Sequence, residues 1–415
     1  MPNGWQKDYD KLKDYIDKNP GIEIEPNVVC ISSDIRPEFY HLFNAVCASF
    51  IKDNFAVLLE KSYVLRKRWG ELSRVVTDSL KLEAIDVDPG TSWFLSDPDD
   101  GLTRGLIDPL FDLLKGKNDL TAFEQTALRV LEGEFTQFSG EGYQCWAIMS
   151  LLKLLSTDKI YQIPVGDFDM DPSVHAEEMY GSRVERVPDA VEINRISFVH
   201  RAMYSYLVPK VIGHSTRLNR FVAFCRDFNF NEARWQARGL SPEQEWYGVS
   251  DIVREFGRSD LWPDLAIYTG THWKELVVIA DHFKMARPDI VVEFRVDKDW
   301  YEKEGLEKVK RHYDILKPKL GSFVVCLEPV PAAASKELEE KPAPQPVPLG
   351  TAEAIVEPAL QPIAMGTAQE IPVKPALDIH LLSVGYDITK LEPVVEAIMK
   401  AHTQPEETTA GNTPA

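Results

Sequence analysis

The segment 262–329 constrains the fold most, because its hydrophobic periodicity changes from that of strands to that of a helix and back. Three apolar, β-branched stretches of strand length are bounded by turn residues, at 265–269, 275–280 and 289–296. Residues 301–317 follow with helical periodicity and end before Pro318, and 321–327 is predicted to be a buried strand. Ser241-Pro242 is typical of a helix start, and we expect that helix to reach about Phe256. The predicted order of elements is α-β-β-β-α-β.

Two short acidic motifs lie in this segment. Pro263-Asp264 precedes the first predicted strand, and Glu293-Phe294-Arg295 lies in the third. With this element order, residues 241–328 resemble the PD-(D/E)xK nuclease superfamily. The resemblance implies a mixed sheet flanked by helices, carboxylates that hold Mg²⁺, and a lysine that orients or activates the attacking water. Arg295 occupies the position of that lysine. Its guanidinium is always charged and cannot act as a base, although it can stabilise charge on a phosphate.

The pairing of the carboxylates depends on the strand register. If the three strands form two successive hairpins with a turn near Met285, Glu275 lies opposite Arg295 and diagonal to Glu293. Asp264 is then two strands from Glu293, roughly 10 Å away, which is too far to share a Mg²⁺ whose ligands lie ~2.1 Å from the ion. Either Glu275 replaces Asp264 as the second ligand, or the register differs. The structural alternative is a cross-strand salt bridge between Glu275 and Arg295.

Other candidate sites have simpler structural explanations. Glu255 is a possible third carboxylate, although a solvated position on a helix explains it as well. An alternating acidic stretch is either a cation site or a surface turn: Asp167, Asp169 and Asp171, with His175 and Glu178 nearby. An Arg-aromatic region suits either single-stranded nucleic acid or an amphipathic helix: Arg217, Arg220, Arg226, Arg234 and Arg238, with Phe221, Phe224, Phe228, Phe230 and Trp235. No Gly-rich phosphate loop, GxSxG or HExxH motif is present.

Composition limits the class of protein. The net charge of −19 disfavours a protein whose whole surface binds nucleic acid, although a local basic groove stays compatible with it. No stretch approaches the ~20 apolar residues of a membrane span, and the N-terminus has no hydrophobic signal segment. The five cysteines are scattered in apolar surroundings without a CxxC motif. We therefore expect free thiols and a cytoplasmic location.

The sequence predicts an α+β protein in five parts. Residues 1–240 are predicted to be mostly helical, with candidate helices that include 196–211 and 218–237, and 241–328 form the α-β-β-β-α-β mixed-sheet domain. Ten of the 28 prolines fall between Pro329 and Pro375, which predicts a Pro-rich linker at 329–377. A small strand-helix module at 378–402 and a disordered tail at 403–415 complete the chain.

Two functions from different classes remain open at this point. The first is a Mg²⁺-dependent nuclease that acts on nucleic acid, in which Glu293 with Asp264 or Glu275 holds the metal and Arg295 binds the scissile phosphate. The second is a non-catalytic interaction or scaffold protein. It would use the nuclease-like fold as a support and bind a protein partner through the Pro-rich tail.

Overall fold

The computed structural model describes residues 4–162, 189–199, 211–226, 246–248, 263–276, 279–280, 284–339 and 377–403. The predicted fold class is confirmed, because a mostly helical N-terminal region precedes a mixed sheet in an α+β arrangement. Within these ranges no single helix has the length and hydropathy of a membrane span. Two helices that meet at 99°, Arg36–Asn54 and Ala56–Leu80, pass that test only as a bent pair, by length and composition.

Seven helices lie between residues 4 and 162. They are α1 Gly4–Lys18, α2 Arg36–Asn54, α3 Ala56–Leu80, α4 Pro89–Ser96, α5 Pro98–Gly105, α6 Ile107–Leu114 and α7 Leu120–Leu154. Asp119 caps α7 by accepting a hydrogen bond from the Ala122 N–H at 2.8 Å. Two short strands, β1 Ile22–Ile24 and β2 Val29–Ile31, form an antiparallel hairpin between α1 and α2.

Aromatic side chains fill the core of the helical region. α2 contributes an apolar stripe, on which Phe39, Phe43 and Phe50 are all buried. Trp5 of α1 packs against Phe50 and against Phe123 of α7, with ring centroids 5.4 and 5.3 Å apart. The C-terminal half of α7 is almost entirely buried, as its apolar sequence predicts, and it continues from this core onto the sheet.

Most of the remaining strands form one large sheet. The strands are β3 Ala84–Asp86, β4 Thr157–Gln162, β5 Val191–Ile193, β6 Arg195–Ser197, β7 Val211–Ser215, β8 Arg220–Arg226, β9 Trp246–Gly248, β10 Leu265–Gly270, β11 Ile279–Ala280, β12 Lys284–Ala286, β13 Ile290–Arg295, β14 Ser322–Cys326 and β15 Ile379–Ser383. Eight of them pair in the order β15-β14-β13-β10-β8-β7-β4-β5. The pairs β13–β14 and β14–β15 are parallel, and the other neighbours are antiparallel.

Helices cover both faces of this sheet. Side chains alternate along a strand, so Val292 and Phe294 of β13 face α7, where Phe294 meets Tyr143 edge to face at 6.3 Å. The opposite face of β13 and β14 packs against α8 Leu306–Leu316, through Val309 and Val324 among others. A single π-helical turn, Tyr301–Gly305, leads into α8. Since both faces are buried, any charged side chain between sheet and helix needs an internal partner.

The sheet extends beyond the boundary predicted at residue 240. The candidate helices at 196–211 and 218–237 are wrong wherever the structure describes them, because β6, β7 and β8 occupy those positions. The run Phe221–Cys225 is apolar on both faces, so β8 lacks the alternation that identifies a half-buried strand. The spacing of its arginine and aromatic residues therefore resembles that of an amphipathic helix. The rest of the Arg-aromatic region, with Arg234 and Arg238, lies outside the described residues.

Two elements of the predicted α-β-β-β-α-β order are also wrong. The predicted helix at 241–256 contains a strand, β9, in its described part. The predicted strand at 275–280 begins inside a 3₁₀ turn, Trp273–Leu276, and of its described residues those of β11 form a strand. β11 pairs with β12 in a separate three-stranded sheet with β9, which leaves β10 free to pair directly with β13.

The C-terminal strand and helix are integral parts of the sheet domain instead of a tethered module. The predicted linker begins with a helix, α9 Ala332–Glu339, and residues 340–376 lie outside the described part of the chain. β15 pairs in parallel with β14. α10 Glu392–Thr403 then inserts Val394, Val395 and Ile398 into the core beside α7, each fully buried. The proline-rich sequence therefore connects two anchored points of one domain.

We predict that cleavage within 340–376 leaves the C-terminal fragment bound to the rest of the protein. The β14–β15 hydrogen bonds and the three buried aliphatic side chains of α10 hold it, at about 1.5–3 kcal/mol for each side chain. Limited proteolysis followed by native size-exclusion chromatography and a denaturing gel checks this. A C-terminal fragment that elutes separately without denaturant would show that it is an independent module.

Candidate functional site

Direct pairing of β10 with β13 brings the two predicted acidic motifs together. The register places Leu265 opposite Val292, so Asp264 and Glu293 lie at facing positions of neighbouring strands. The separation of two strands that the hairpin arrangement predicted is therefore wrong. The physical reason is that the described parts of the intervening chain, 271–276, 279–280 and 284–286, lie outside the large sheet and add no strand between β10 and β13.

The side chain of Arg295 joins these two carboxylates. Its Nη1 donates to Asp264 Oδ2 at 3.1 Å and its Nη2 donates to Glu293 Oε2 at 3.0 Å. Nη1 also donates to the carbonyl of Phe294 at 2.8 Å, and the Phe294 N–H donates to Asp264 Oδ2 at 2.7 Å. The guanidinium lies 5.9 Å from the ring centre of Trp300, which is near enough for a cation–π contact. Arg295 therefore has Asp264 and Glu293 as carboxylate partners.

A histidine that the sequence analysis did not single out completes the cluster. His312 of α8 lies 2.5 Å from Glu293 Oε1 through its Nδ1. A carboxylate can only accept, so Nδ1 is the donor. Both oxygens of Glu293 therefore have protein partners, and His312 ties α8 to β13. His312 Nε2 is buried and has no hydrogen-bond partner in the described residues.

The cluster is almost closed to solvent. Glu293 is 0% exposed and His312 is 1% exposed. The side chains of Arg295 and Asp264 are 13% and 21% exposed. Asp264 is therefore the member of the cluster most accessible from outside.

The pKa values of the two acidic groups, Asp264 and Glu293, are shifted in opposite directions. Burial raises the pKa of Asp264 from 3.8 to about 6, and the neighbouring Glu293 carboxylate adds to this, against the opposing effect of Arg295. Burial also acts to raise the pKa of Glu293, but Arg295 and the His312 hydrogen bond outweigh it and lower that pKa. Lys308, one helical turn before His312, lowers the pKa of both carboxyls through its charge. Glu293 is therefore the permanent anion of the pair, and Asp264 is the group that titrates.

The arrangement does not fit Mg²⁺ as it stands. No group of three or more His, Cys, Asp and Glu side chains in the described ranges has metal-binding geometry. A metal between Asp264 and Glu293 would have to displace the Arg295 guanidinium. The two charge-assisted hydrogen bonds lost are worth about 1.5–3 kcal/mol each. A metal site of millimolar affinity supplies only about 4 kcal/mol in total, so the internal cation is competitive with the metal.

The other predicted site residues lie elsewhere. Glu275 belongs to the 3₁₀ turn outside the large sheet, so it is not a cross-strand neighbour of Arg295. Glu255 and the acidic stretch from Asp167 to Glu178 lie outside the described residues. His312 had a usable signal in the sequence. It lies three residues after Val309 and four before Leu316, on the buried stripe of a helix, where a polar side chain needs a partner.

Comparison with models of protein families, with curated proteins and with solved structures gave no match to this chain.

We predict that Arg295→Met lowers the free energy of unfolding by about 3–5 kcal/mol at pH 7, because it removes the guanidinium that lies between Asp264 and the fully buried Glu293. Urea unfolding followed by circular dichroism measures this. The matched control is Lys298→Met, the same type of change at an exposed residue nearby, which should stay within about 0.5 kcal/mol of wild type. A loss below about 1 kcal/mol for Arg295→Met would mean that the cluster does not stabilise the fold.

The raised pKa of Asp264 predicts how the stability of the protein changes with pH. Because its folded pKa of about 6 exceeds the ordinary 3.8, the folded state holds a proton that the unfolded chain releases between these values. Its contribution to stability therefore falls as pH rises through this window. We expect the stability of wild type relative to Asp264→Asn to fall by about 2 kcal/mol between pH 4.5 and 7.5. A rise in the stability of wild type relative to Asp264→Asn over the same pH range would contradict the assignment.

Proposed function

We propose that this chain is a non-catalytic interaction protein that uses a nuclease-like sheet as its scaffold. The observation that carries the proposal is the position of the Arg295 guanidinium, which binds both carboxylates that the family resemblance assigns to Mg²⁺. His312 takes the remaining oxygen of Glu293. The acidic pair is therefore neutralised from within and holds together β10, β13 and α8.

The strand arrangement supports the relation to the nuclease-like core. β8, β10, β13 and β14 are neighbours in that order, and α8 connects the last two, which are parallel. This reproduces three strands, a helix and a fourth strand, although with β8 in place of the strand predicted at 275–280. Asp264 precedes one strand and Glu293-x-Arg295 lies on the next, as the resemblance implies. A nuclease-like core with arginine in place of lysine agrees with these features.

The partner that we propose is a protein that binds extended proline-rich sequence. The segment 340–376 contains most of the prolines between Pro329 and Pro375, and its flanks are fixed at α9 and β15. Proline-rich sequences favour the extended helix that such partners recognise, at low entropic cost. The net charge of −19 disfavours nucleic acid as the main partner. All five cysteines are free thiols, four of them buried, which supports a reducing compartment such as the cytoplasm.

Phosphodiester cleavage that depends on Mg²⁺ is the second candidate function. The specific observation in its favour is that Asp264 and Glu293 converge on one cation from neighbouring strands, with Asp264 partly accessible. In that case Arg295 would have to leave the carboxylates and bind phosphate.

One experiment separates these functions. We predict that the purified protein neither nicks supercoiled DNA nor cleaves RNA in 10 mM Mg²⁺ or Mn²⁺, and that calorimetry detects no metal binding at millimolar concentration. The matched variants are Glu293→Gln and Asp264→Asn, which keep side-chain size while removing charge, and circular dichroism confirms that each is folded. If wild type cleaves with metal and both variants lose the activity, the nuclease function is correct and the scaffold proposal is wrong.

A further inference from the structure

The last strand of the large sheet has an unpaired edge. β15 lies at one end of the strand order, and among the described residues no strand pairs with its outer side. The Ser322 N–H donates to the carbonyl of Asp378, and the Val384 N–H donates to the carbonyl of Cys326. Donors and acceptors alternate along a strand. The backbone groups of Ile379, Leu381 and Ser383 therefore face away from β14.

This edge lacks the features that usually protect a sheet from pairing. The strand sequence is Ile-His-Leu-Leu-Ser, with no proline, lysine or carboxylate. The opposite edge differs, because β5 has only three residues and its Glu192 pairs with Lys159 at 2.8 Å. Natural sheets shorten or charge their edges to prevent association. β15 has neither form of protection.

Side-chain contacts on both faces of the sheet also fix the conformation of β15. The His380 ring stacks on Phe323 at 4.8 Å with an angle of 23°. On the other face Ile379 and Leu381 pack with the Trp300 cluster. The Ser383 hydroxyl accepts the Val330 N–H at 2.9 Å. An incoming strand would therefore meet a fixed set of donors and acceptors, so little ordering entropy opposes pairing.

We propose that β15 is a self-association edge, at which a second copy of this chain adds its own β15 in antiparallel orientation. With the two-fold axis at Leu381, Ile379 pairs with Ser383 of the second copy and Leu381 pairs with its own equivalent. Every outward donor and acceptor of the strand then finds a partner. Asp378, the nearest carboxylate, falls opposite the second copy's Val384, so no like charges meet in the pair.

A second copy is favoured over the neighbouring segment of the same chain. Between Pro329 and Pro375 the ten prolines lack the N–H groups that a new strand must donate. The strand contains no carboxylate, lysine or arginine, and its backbone hydrogen-bonding groups are complementary to those of a second copy, so it needs no other sequence to match it. Self-association would present two proline-rich segments in one particle, which raises the apparent affinity for a divalent partner.

The area of the β15–β15 interface and the net charge of each chain determine the expected affinity of the dimer. A pair of short strands buries less than the roughly 1,200 Å² of a stable interface, so we expect a dissociation constant on the order of 10 µM. Each chain carries −19. Raising NaCl from about 0.05 to 0.5 M screens the repulsion between copies and should tighten the dimer.

Sedimentation velocity between 1 and 500 µM tests the proposal with full-length protein. Wild type should shift from the chain mass of 47.0 kDa to twice that value as concentration rises. Ser383→Pro removes an outward N–H without touching the bonds to β14, and it should stay monomeric. The matched control Ser383→Ala also removes the hydroxyl but keeps the N–H, so it should dimerise like wild type.

Two results would overturn the proposal. One is a wild-type protein that remains monomeric at 500 µM in 0.5 M NaCl. The other is a folded Ser383→Pro variant that dimerises as strongly as Ser383→Ala, which would place any dimer interface elsewhere. Leu381→Pro, which removes the N–H at the two-fold axis, provides a second variant if Ser383→Pro does not fold.

Discussion

The guanidinium of Arg295 is the charge on which the centre of the sheet domain depends. It lies between the carboxylates of Asp264 and Glu293, and His312 holds the other oxygen of Glu293. A buried ion pair adds little net stability over a well-packed apolar core, but removing one partner strongly destabilises the folded state. The cluster therefore acts mainly as a constraint. A shift of β10 along β13 would separate Asp264 from Arg295 and leave buried charges unpaired, so the cluster fixes the register of the two strands.

The same constraint connects structure to function. A lysine at this position is a flexible point charge, whereas arginine presents a planar set of donors that can bind two carboxylates at once. Arg295 uses this geometry to bridge the acidic pair. Under the proposed function, arginine at the position where the nuclease resemblance implies lysine makes the acidic pair part of an internal ion-pair cluster. The proline-rich segment, whose two flanks belong to one domain, is the partner-binding region in the proposed function.

The sequence was informative where periodicity was unambiguous. The strands β10, β13 and β14 and the helix α8 lie near the positions that the periodicity predicts. The three acidic and basic residues of the cluster were also found, because short motifs next to strands are visible in sequence. The strand β8 was missed because it is buried on both faces, and its arginines and aromatics repeat with a spacing that a helix also produces.

Pairing between distant segments was harder to predict than the elements themselves. The segment 275–280 has β-branched residues and was expected to extend the sheet, but it leaves the sheet through a 3₁₀ turn. That single departure changes the neighbours of Glu293 and Arg295. The place of β15 beside β14 was missed for a related reason. Fifty-two residues separate Cys326 from Ile379, and no local pattern specifies a pairing across such a distance.

The most direct test is a crystal structure of the protein grown in 10 mM Mn²⁺, with anomalous diffraction recorded for manganese. The account predicts that Arg295 bridges Asp264 and Glu293 and that no anomalous peak lies within about 3 Å of either carboxylate. A manganese peak between these carboxylates, with the guanidinium displaced, would contradict it.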